Sequence, residues 1–349
     1  MAEVRRVGML TGGGDAPGLN GVIRAVTMHC IEDYGYEVAG IKRGWKGLLD
    51  PESDSVQSLQ VDDVRYILQE GGTILLSSRT NPYKNEGDAE KVVRQMEDFG
   101  VDALVAIGGD DTLGVAKQLY DDFGVQVVGC PKTIDNDLSA TDTTFGYDTA
   151  VSIATDAIDK LRTTARSHER VVVVEVMGRH AGWITWGAGL ASAANVTLIP
   201  EVEPDLDEIT RIFEERAAKG EKWGLVAVSE GVTFSEDFVT QSGEKDEFGH
   251  VRLGGVAEGL AGEIEERTGI ETRHVVLGHL QRGGTPTAFD RILSTRYGLR
   301  AAEAVKNGEW GKMVALRGNE IVTVDLSEAT DETKTVPGDF YKVVETFFG

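Results

Sequence analysis

Two adjacent aspartates, Asp110 and Asp111, follow a Gly-Gly pair where an apolar run meets the start of a helical pattern. Neighbouring carboxylates repel one another, and capping of the helix by Asp111 or Thr112 accounts for only one of them. A hard divalent cation such as Mg²⁺, held through one carboxylate and the phosphates of a substrate, accounts for the other. The pair therefore indicates metal-assisted chemistry on a phosphorylated substrate.

A second cluster, Pro-Lys-Thr-Ile-Asp-Asn-Asp at residues 131–137, places one cation and two acids directly after another apolar run. An Asx-rich turn is the simplest structural interpretation. Lys132 beside Asp135 also supplies a phosphate clamp and a carboxylate base in one loop. Proton removal from a sugar hydroxyl during phosphoryl transfer requires that pair, so this segment is a candidate catalytic loop.

A glycine-rich segment, Gly-Gly-Gly-Asp at residues 12–15, ends the first apolar run. Its backbone amides and the following helix start could hold a phosphate. No Gly-Lys-Ser/Thr follows at Walker spacing, and Pro17 stands where a dinucleotide fingerprint needs its third glycine. A plain strand-to-helix turn remains the alternative for this segment taken alone.

Four arginines lie near the ends of further apolar runs, at Arg170, Arg179, Arg273 and Arg282. Each one alone is typical of a surface ion pair. Together, near strand ends that also carry glycine, they favour bidentate recognition of phosphate.

The elements that must position these residues are short runs rich in Val, Ile and Leu, which alternate with helical patterns. Such strands predict an α/β fold whose parallel sheets are covered on both faces. Ligands of these sheets bind beyond the carboxyl ends of the strands, so the loops are expected to converge on one cleft. At 349 residues the chain is near the upper limit for a single core, and two lobes are expected.

Composition limits the classes of partner. Lys and Arg total 35 against 58 for Asp and Glu, a net charge of −23, so nucleic acid and membrane surfaces are poor candidates. An anionic substrate must then be held by a local cationic cluster. No signal peptide and no span of about 20 apolar residues is visible, and Cys30 and Cys130 have no metal-ligand spacing. We expect a cytoplasmic protein with reduced cysteines.

Five segments, in this order along residues 4–300, resemble the signature loops of 6-phosphofructokinases: Thr-Gly-Gly-Gly-Asp-Ala-Pro-Gly-Leu-Asn, Gly-Gly-Asp-Asp-Thr, Pro-Lys-Thr-Ile-Asp-Asn-Asp, Val-Glu-Val-Met-Gly-Arg and Leu-Gly-His-Leu-Gln-Arg-Gly-Gly-Thr-Pro. The resemblance implies two interleaved, doubly wound lobes with mainly parallel sheets. It implies a donor and Mg²⁺ lobe at residues 1–146 and 281–331, and a fructose 6-phosphate lobe at 147–280 and 332–349. It also implies a homodimer or homotetramer that phosphorylates the 1-hydroxyl of fructose 6-phosphate.

The resemblance also assigns roles to matched positions. Asp135 would be the general base, with Thr133 and Asp137 beside it, and Asp110 would hold Mg²⁺. The remaining roles would be donor binding by Gly14, Arg79, Gly109, Asp111 and Lys132; sugar-phosphate binding by Met177, Gly178, Arg179, Glu230, His279 and Arg282; and contact with the neighbouring subunit's site by Arg170 and Arg273. Asp111, Lys132 and Arg179 would act with Asp135 in catalysis.

Two of these positions bear on the phosphoryl donor. The Asp111 and Lys132 pair resembles the pyrophosphate-dependent branch, whereas ATP-dependent members typically carry Gly at the first position and many at the second. Asp111 places bulk and negative charge where the α-phosphate of ATP would lie, and a like charge at ~4 Å opposes binding by a few kcal/mol. Lys132 can neutralise pyrophosphate and its leaving group. We therefore predict pyrophosphate as donor and a reversible reaction.

Three alternatives remain at this point. An ATP-dependent phosphofructokinase that tolerates Asp111 is the nearest. An NAD kinase of the wider superfamily would explain Gly-Gly-Asp but not the Met-Gly-Arg and His-Leu-Gln-Arg loops. A non-catalytic sugar-phosphate sensor would be expected to lose the base or the metal ligand, yet Asp135 and Asp110 are both present.

Overall fold

Two sheets organise the chain. A computed structural model describes residues 4–234, 254–330 and 332–349. In this part of the chain the strands are β1 (Arg6–Thr11), β2 (Glu37–Ile41), β3 (Val56–Leu59), β4 (Ala103–Gly108), β5 (Val127–Pro131), β6 (Val171–Val176), β7 (Val196–Leu198), β8 (Gly224–Ser229), β9 (Thr272–Val276), β10 (Lys312–Arg317) and β11 (Glu320–Asp325). One sheet has the order β11-β10-β5-β4-β1-β2-β3 and the other β7-β8-β6-β9.

Helices connect most of these strands. They are α1 (Leu19–Glu32), α2 (Lys46–Leu49), α3 (Val61–Val64), α4 (Asp88–Asp98), α5 (Asp110–Phe123), α6 (Tyr147–Ser167), α7 (Trp183–Ala191), α8 (Leu206–Ala218), α9 (Val256–Thr268), α10 (Ala288–Asn307), α11 (Leu326–Thr330) and α12 (Gly338–Glu345), with a 3₁₀ helix at Gly278–Arg282. In the described chain no helix combines the length and apolarity needed to cross a bilayer.

The apolar runs form parallel strands because both of their faces are buried. In β4, Val105 and Ile107 pack with α1 and α10, whereas Leu104 and Ala106 pack with α4 and α5 on the other face. Alternate side chains of a strand point to opposite faces, so an unbroken apolar run suits a sheet covered twice. The edge strands β3 and β11 are the antiparallel members of this sheet.

The second sheet follows the same rule. Val171 and Val173 of β6 face α8 and α9, and Val172 and Val174 face α6 and α7. All of its strand pairs are parallel.

The chain passes between the two sheets more than once. It completes β1–β5, builds β6–β9, returns through α10 to β10 and β11, and ends with α12 packed near α7 and β7. The prediction of interleaved, doubly wound α/β lobes with mainly parallel sheets is confirmed. The residue boundaries predicted for the lobes stay predictions.

Candidate active site

The predicted loops meet in one cleft beyond the carboxyl ends of β1, β4 and β5. These strands end level with one another, since Thr11 pairs with Ile107 and Gly108 with Pro131. The cleft is lined by Gly13, Gly14, Asp15, Arg79, Gly109, Asp110, Asp111, Thr112, Lys132, Thr133, Ile134, Asp135, Asp137, Arg179 and Arg282. Four cations and five carboxylates therefore share one site in a strongly acidic protein.

Close packing of Thr112 explains why glycine is required at positions 12 and 108. A Cβ atom on Gly12 would lie 2.4 Å from the Thr112 hydroxyl oxygen, and one on Gly108 would lie 2.3 Å from Thr112 Cβ. Glycine at both strand ends thus lets the first turn of α5 approach β1 and β4. The sequence singled out the glycines for phosphate binding, and the buried Thr112 that requires them was only visible in three dimensions.

The paired aspartates begin α5. Gly109 occupies the N-cap without a side-chain capping bond, and Asp110 and Asp111 lie in the first turn. The helix-capping role that the sequence allowed for Asp111 or Thr112 is therefore not observed. Both carboxylates are instead favoured by the positive end of the helix. Asp110 is exposed to the cleft and Asp111 is half-buried.

Lys132 is buried directly after β5, the strand next to β4. Its ammonium donates a hydrogen bond to the Gly14 carbonyl at 2.5 Å, and its backbone N–H donates to the Gly108 carbonyl at 2.9 Å. Burial, assisted by the nearby Arg282 guanidinium, lowers the pKa of Lys132 to about 8. The loop after β1 and the loop after β5 are thus joined by the Lys132 ammonium.

Asp135 is buried beside these residues with one carboxylate oxygen unpartnered. It is 6% exposed, its backbone N–H donates to Thr133 Oγ1 at 3.0 Å, and its Oδ1 atom is buried without a hydrogen-bond partner. Burial raises the pKa of Asp135, and the Arg282 and Arg179 guanidiniums oppose the rise. Burial and the neighbouring Asp135 carboxylate raise the pKa of Asp137 to about 7. An unpartnered carboxylate oxygen in a cleft is available to a substrate hydroxyl.

The loop after β6 brings Arg179 into the cleft. Glu230 fixes this loop, since its Oε1 accepts bonds from the N–H groups of Gly178 at 3.2 Å and Arg179 at 3.1 Å. Both residues have positive φ, 150° and 52° respectively. Burial by itself would lower the pKa of Arg179, but the Asp135 and Asp110 carboxylates raise it above its ordinary value. A left-handed arginine held this way stores strain at the site.

Arg282 reaches the loop after β1. It is 8% exposed, and a methyl group on Gly14 would lie 1.7 Å from one of its terminal nitrogens. Its Nε is buried and lacks a hydrogen-bond partner. The neighbouring Gln281 accepts a bond from the Met177 N–H at 3.3 Å through Oε1. Gln281 was not singled out in the sequence, and only its position within the matched His-Leu-Gln-Arg segment pointed to it.

Other predicted site residues lie elsewhere within the single chain. His279 is exposed in a separate shallow depression lined mainly by apolar residues. Arg170 and Arg273 lie at the amino ends of β6 and β9, opposite to the cleft, and both pair with Glu271, at 3.3 Å and 2.5 Å. Of the four predicted arginines, Arg179 and Arg282 therefore line this cleft.

The carboxylates of the cleft suit a metal that is shared with a substrate. Among the described residues no group of three or more His, Cys, Asp or Glu side chains gathers closely enough to hold a metal ion alone. Mg²⁺ is commonly bound through one or two carboxylates plus substrate phosphates. The exposed carboxylate of Asp110 fits that donor set.

Comparison with known proteins gives one consistent group. The phosphofructokinase family profile matches residues 6–305. A pyrophosphate–fructose 6-phosphate 1-phosphotransferase of Amycolatopsis methanolica is 60% identical, over 99% of this chain and 100% of that protein. An ATP-dependent 6-phosphofructokinase 3 of Streptomyces coelicolor is 50% identical, over 97% and 99%. A phosphofructokinase structure from Saccharomyces cerevisiae has a TM-score of 0.83 at 29% identity, covering 98% of this chain and 46% of that one.

Proposed function

This chain belongs to the phosphofructokinase family, and we propose that it transfers a phosphoryl group from pyrophosphate to the 1-hydroxyl of fructose 6-phosphate, reversibly. The observation that carries the proposal is the pairing, in one cleft, of an unpartnered buried carboxylate at Asp135 with the cations Lys132, Arg179 and Arg282.

The chemistry can be written on residues of this chain. Asp135 Oδ1 accepts the proton of the 1-hydroxyl, and the hydroxyl oxygen of the sugar forms a bond to the nearer phosphorus of pyrophosphate. The bond from this phosphorus to the bridging oxygen breaks, and phosphate leaves with the bridging electron pair. Lys132 stabilises the charge on the leaving group, and Arg179 stabilises the phosphoryl group in transfer.

The donor would be held by the loop after β1. Gly14, Gly109 and the exposed Arg79 line the same cleft as Asp110. Mg²⁺, held by Asp110 and the donor phosphates, would supply Lewis-acid neutralisation of the phosphate charges. In the reverse reaction protonated Asp135 returns its proton to the sugar oxygen.

Pyrophosphate is favoured over ATP by Asp111. Its half-buried side chain lies in the first turn of α5 beside Asp110, at the position where the family resemblance would place the α-phosphate of ATP. The Amycolatopsis relative, named as pyrophosphate-dependent, is also more similar than the ATP-dependent Streptomyces relative. ATP use stays the second candidate because proteins bearing that name match over nearly the whole chain.

The direct test is a donor comparison. Purified protein is incubated with fructose 6-phosphate and Mg²⁺, with pyrophosphate or with ATP, and fructose 1,6-bisphosphate is measured. Product from pyrophosphate alone supports the proposal. Product from ATP alone retains the family chemistry and refutes the donor assignment, and no product from either refutes both.

The sugar phosphate would lie between the two sheets. We propose that Thr133, Asp137, Met177, Gly178, Glu230, His279 and Arg282 bind it, with donor and metal held by the lobe of residues 1–146 and 281–331 and sugar by the lobe of 147–280 and 332–349. Because Cys30 and Cys130 are free buried thiols, a reducing cytoplasm is the proposed compartment.

We further propose a homodimer or homotetramer in which Arg170 and Arg273 complete the neighbouring subunit's site. Their position at the end of the sheet opposite to the cleft supports a role outside their own chain's site. Co-expression of Asp135→Asn with Arg170→Gln tests this arrangement. In randomly mixed dimers half the molecules are hybrids with one intact site, so about a quarter of wild-type activity returns.

A control pair, Asp135→Asn with Arg179→Gln, alters two residues that line the same chain's cleft and should restore nothing. Absence of rescue in the first pair would refute the shared site.

A further inference from the structure

A lysine outside the cleft holds the loop that carries the base. Lys334 lies between α11 and α12, and its ammonium donates to Asn136 Oδ1 at 3.0 Å and to the carbonyls of Thr141 and Asp142, each at 2.9 Å. An ammonium has three protons, so these three acceptors use all of them. The acceptors all belong to residues 132–145, which we call the Asp135 loop.

Lys334 also contacts Trp183 of α7, a helix that packs on the second sheet. Its backbone N–H donates to the Asp137 carbonyl at 2.7 Å, and its carbonyl accepts a bond from Trp183 Nε1 at 2.8 Å. The ammonium lies 5.5 Å from the centre of the Trp183 ring. Trp183 begins α7, immediately after the segment that carries Arg179. Lys334 therefore joins the Asp135 loop to the Arg179 segment.

The Asp135 loop depends on side-chain bonds for its shape. It connects β5 to α6 and includes Asn136, a non-glycine residue at φ 54°. Asn136 Oδ1 accepts from the Thr144 N–H at 3.1 Å as well as from Lys334, and the Thr144 hydroxyl donates to the Thr133 carbonyl at 2.7 Å. Removal of the ammonium would leave three acceptors without their charged donor and release a strained residue beside Asp135.

We propose that Lys334 is a positioning residue for phosphoryl transfer: it fixes the Asp135 loop against the Arg179 segment, so that the base and the charge-stabilising arginine share one geometry. The expected effect on phosphoryl transfer rests on the proposed function. The expected effect on the Asp135 loop rests on the contacts of Lys334 alone. The hydrogen bonds of Lys334 described above go to the Asp135 loop and to Trp183, and not to the residues after β1 and β4 that would hold the donor.

The first experiment is Lys334→Met, which keeps the unbranched stem against Trp183 and removes all three donated bonds. We expect kcat to fall about tenfold or more in both directions, since small displacements of reacting groups have effects of this size. KM for pyrophosphate should change by less than about twofold, because Gly14 and Asp110 follow strand ends and Lys132 is anchored by its own backbone bond to the Gly108 carbonyl. Lys342→Met, on exposed α12 with a single ion pair to Asp339 at 3.0 Å, is the matched control.

Hydrogen–deuterium exchange supplies a readout that does not depend on activity. In Lys334→Met the amides of residues 133–144 should exchange faster, and those of α5 should not. Asn136→Gly keeps the left-handed backbone and removes the shared acceptor. The kcat effects of the two substitutions should therefore be less than additive in the double variant.

Unchanged exchange in the Asp135 loop, or unchanged kcat in folded Lys334→Met, would overturn the proposal. If that variant does not fold, Lys334→Arg replaces it, since a planar guanidinium keeps the charge but cannot direct three converging bonds. Wild-type exchange and kcat in the arginine variant would again overturn it. A wild-type protein that is inactive with either donor refutes the proposed function, whereas exchange still decides whether Lys334 holds the loop.

Discussion

Replacement of Asp111 by glycine should admit ATP as a phosphoryl donor. Asp111 is half-buried in the first turn of α5, next to the predicted metal ligand Asp110 and within the cleft that contains Lys132. Glycine removes both the carboxylate and its volume. The helix start should survive, because Gly109 already supplies the N-cap without a side-chain bond.

The size of the effect follows from the charge. Two unit charges ~4 Å apart near a protein surface interact with about 4 kcal/mol. Partial exposure and salt reduce this repulsion to about 1.4 to 2.7 kcal/mol. At 1.36 kcal/mol for each factor of ten, kcat/KM for ATP should rise about 10- to 100-fold in Asp111→Gly.

The assay measures kcat/KM for both donors at saturating fructose 6-phosphate and fixed free Mg²⁺. Asp111→Asn separates charge from volume, because it keeps the size of the side chain and removes its charge. Asp121→Asn is the control for the loss of one negative charge on the same helix, since Asp121 is exposed and pairs with Lys117 at 2.6 Å. An unchanged ratio of the two kcat/KM values in Asp111→Gly would refute the reasoning.

Three further predictions concern the same cleft. Gly14→Ala should lower kcat/KM for pyrophosphate about 100-fold, because the methyl group would lie 1.7 Å from a nitrogen of Arg282 and displace the guanidinium. Gly262→Ala on α9, where space is open, is the control in the same steady-state assay. Asp110→Asn should raise the Mg²⁺ concentration needed for half-maximal activity about tenfold or more, measured by metal titration, and an unshifted titration would remove Asp110 as ligand. The pKa of Lys132 is lowered to about 8, so the protonated, pyrophosphate-binding form is lost as pH rises through that value. The pH profile of kcat/KM should therefore fall on the alkaline side near pH 8 and should extend to higher pH in Lys132→Arg.

Much of the fold could be predicted because the strands are buried on both faces. The run at residues 171–176 forms β6 with those bounds, and its six residues are all buried. Runs of this kind can be recognised without tertiary information, and parallel pairing places their following loops at one edge. That is why Asp110, which follows β4, was expected in one cleft with Lys132 and Asp135, which follow β5.

Contacts between distant segments could not be predicted in this way. Lys334 follows Asn136 by 198 positions, and no local pattern connects a lysine in the C-terminal segment with the base. The packing of Thr112 against Gly12 and Gly108 could not be predicted either, since it depends on the register of β1 with β4. A motif identifies groups that can react, whereas the residues that hold those groups are set by long-range packing.

Burial in this cleft changes acids and bases in opposite directions, and that suits a reversible reaction. It raises the pKa of Asp135 and lowers that of Lys132 to about 8, so both groups move towards neutrality. A carboxylate that takes a proton in one direction must return it in the other, and this is easiest when its pKa is near the working pH. The Arg179 and Arg282 guanidiniums oppose the rise in the pKa of Asp135 and so favour its ionised form, the form that can accept a proton. For the proposed reaction, the mixture of cations and carboxylates would therefore support proton transfer in both directions, and the removal of either arginine should impair the forward step most.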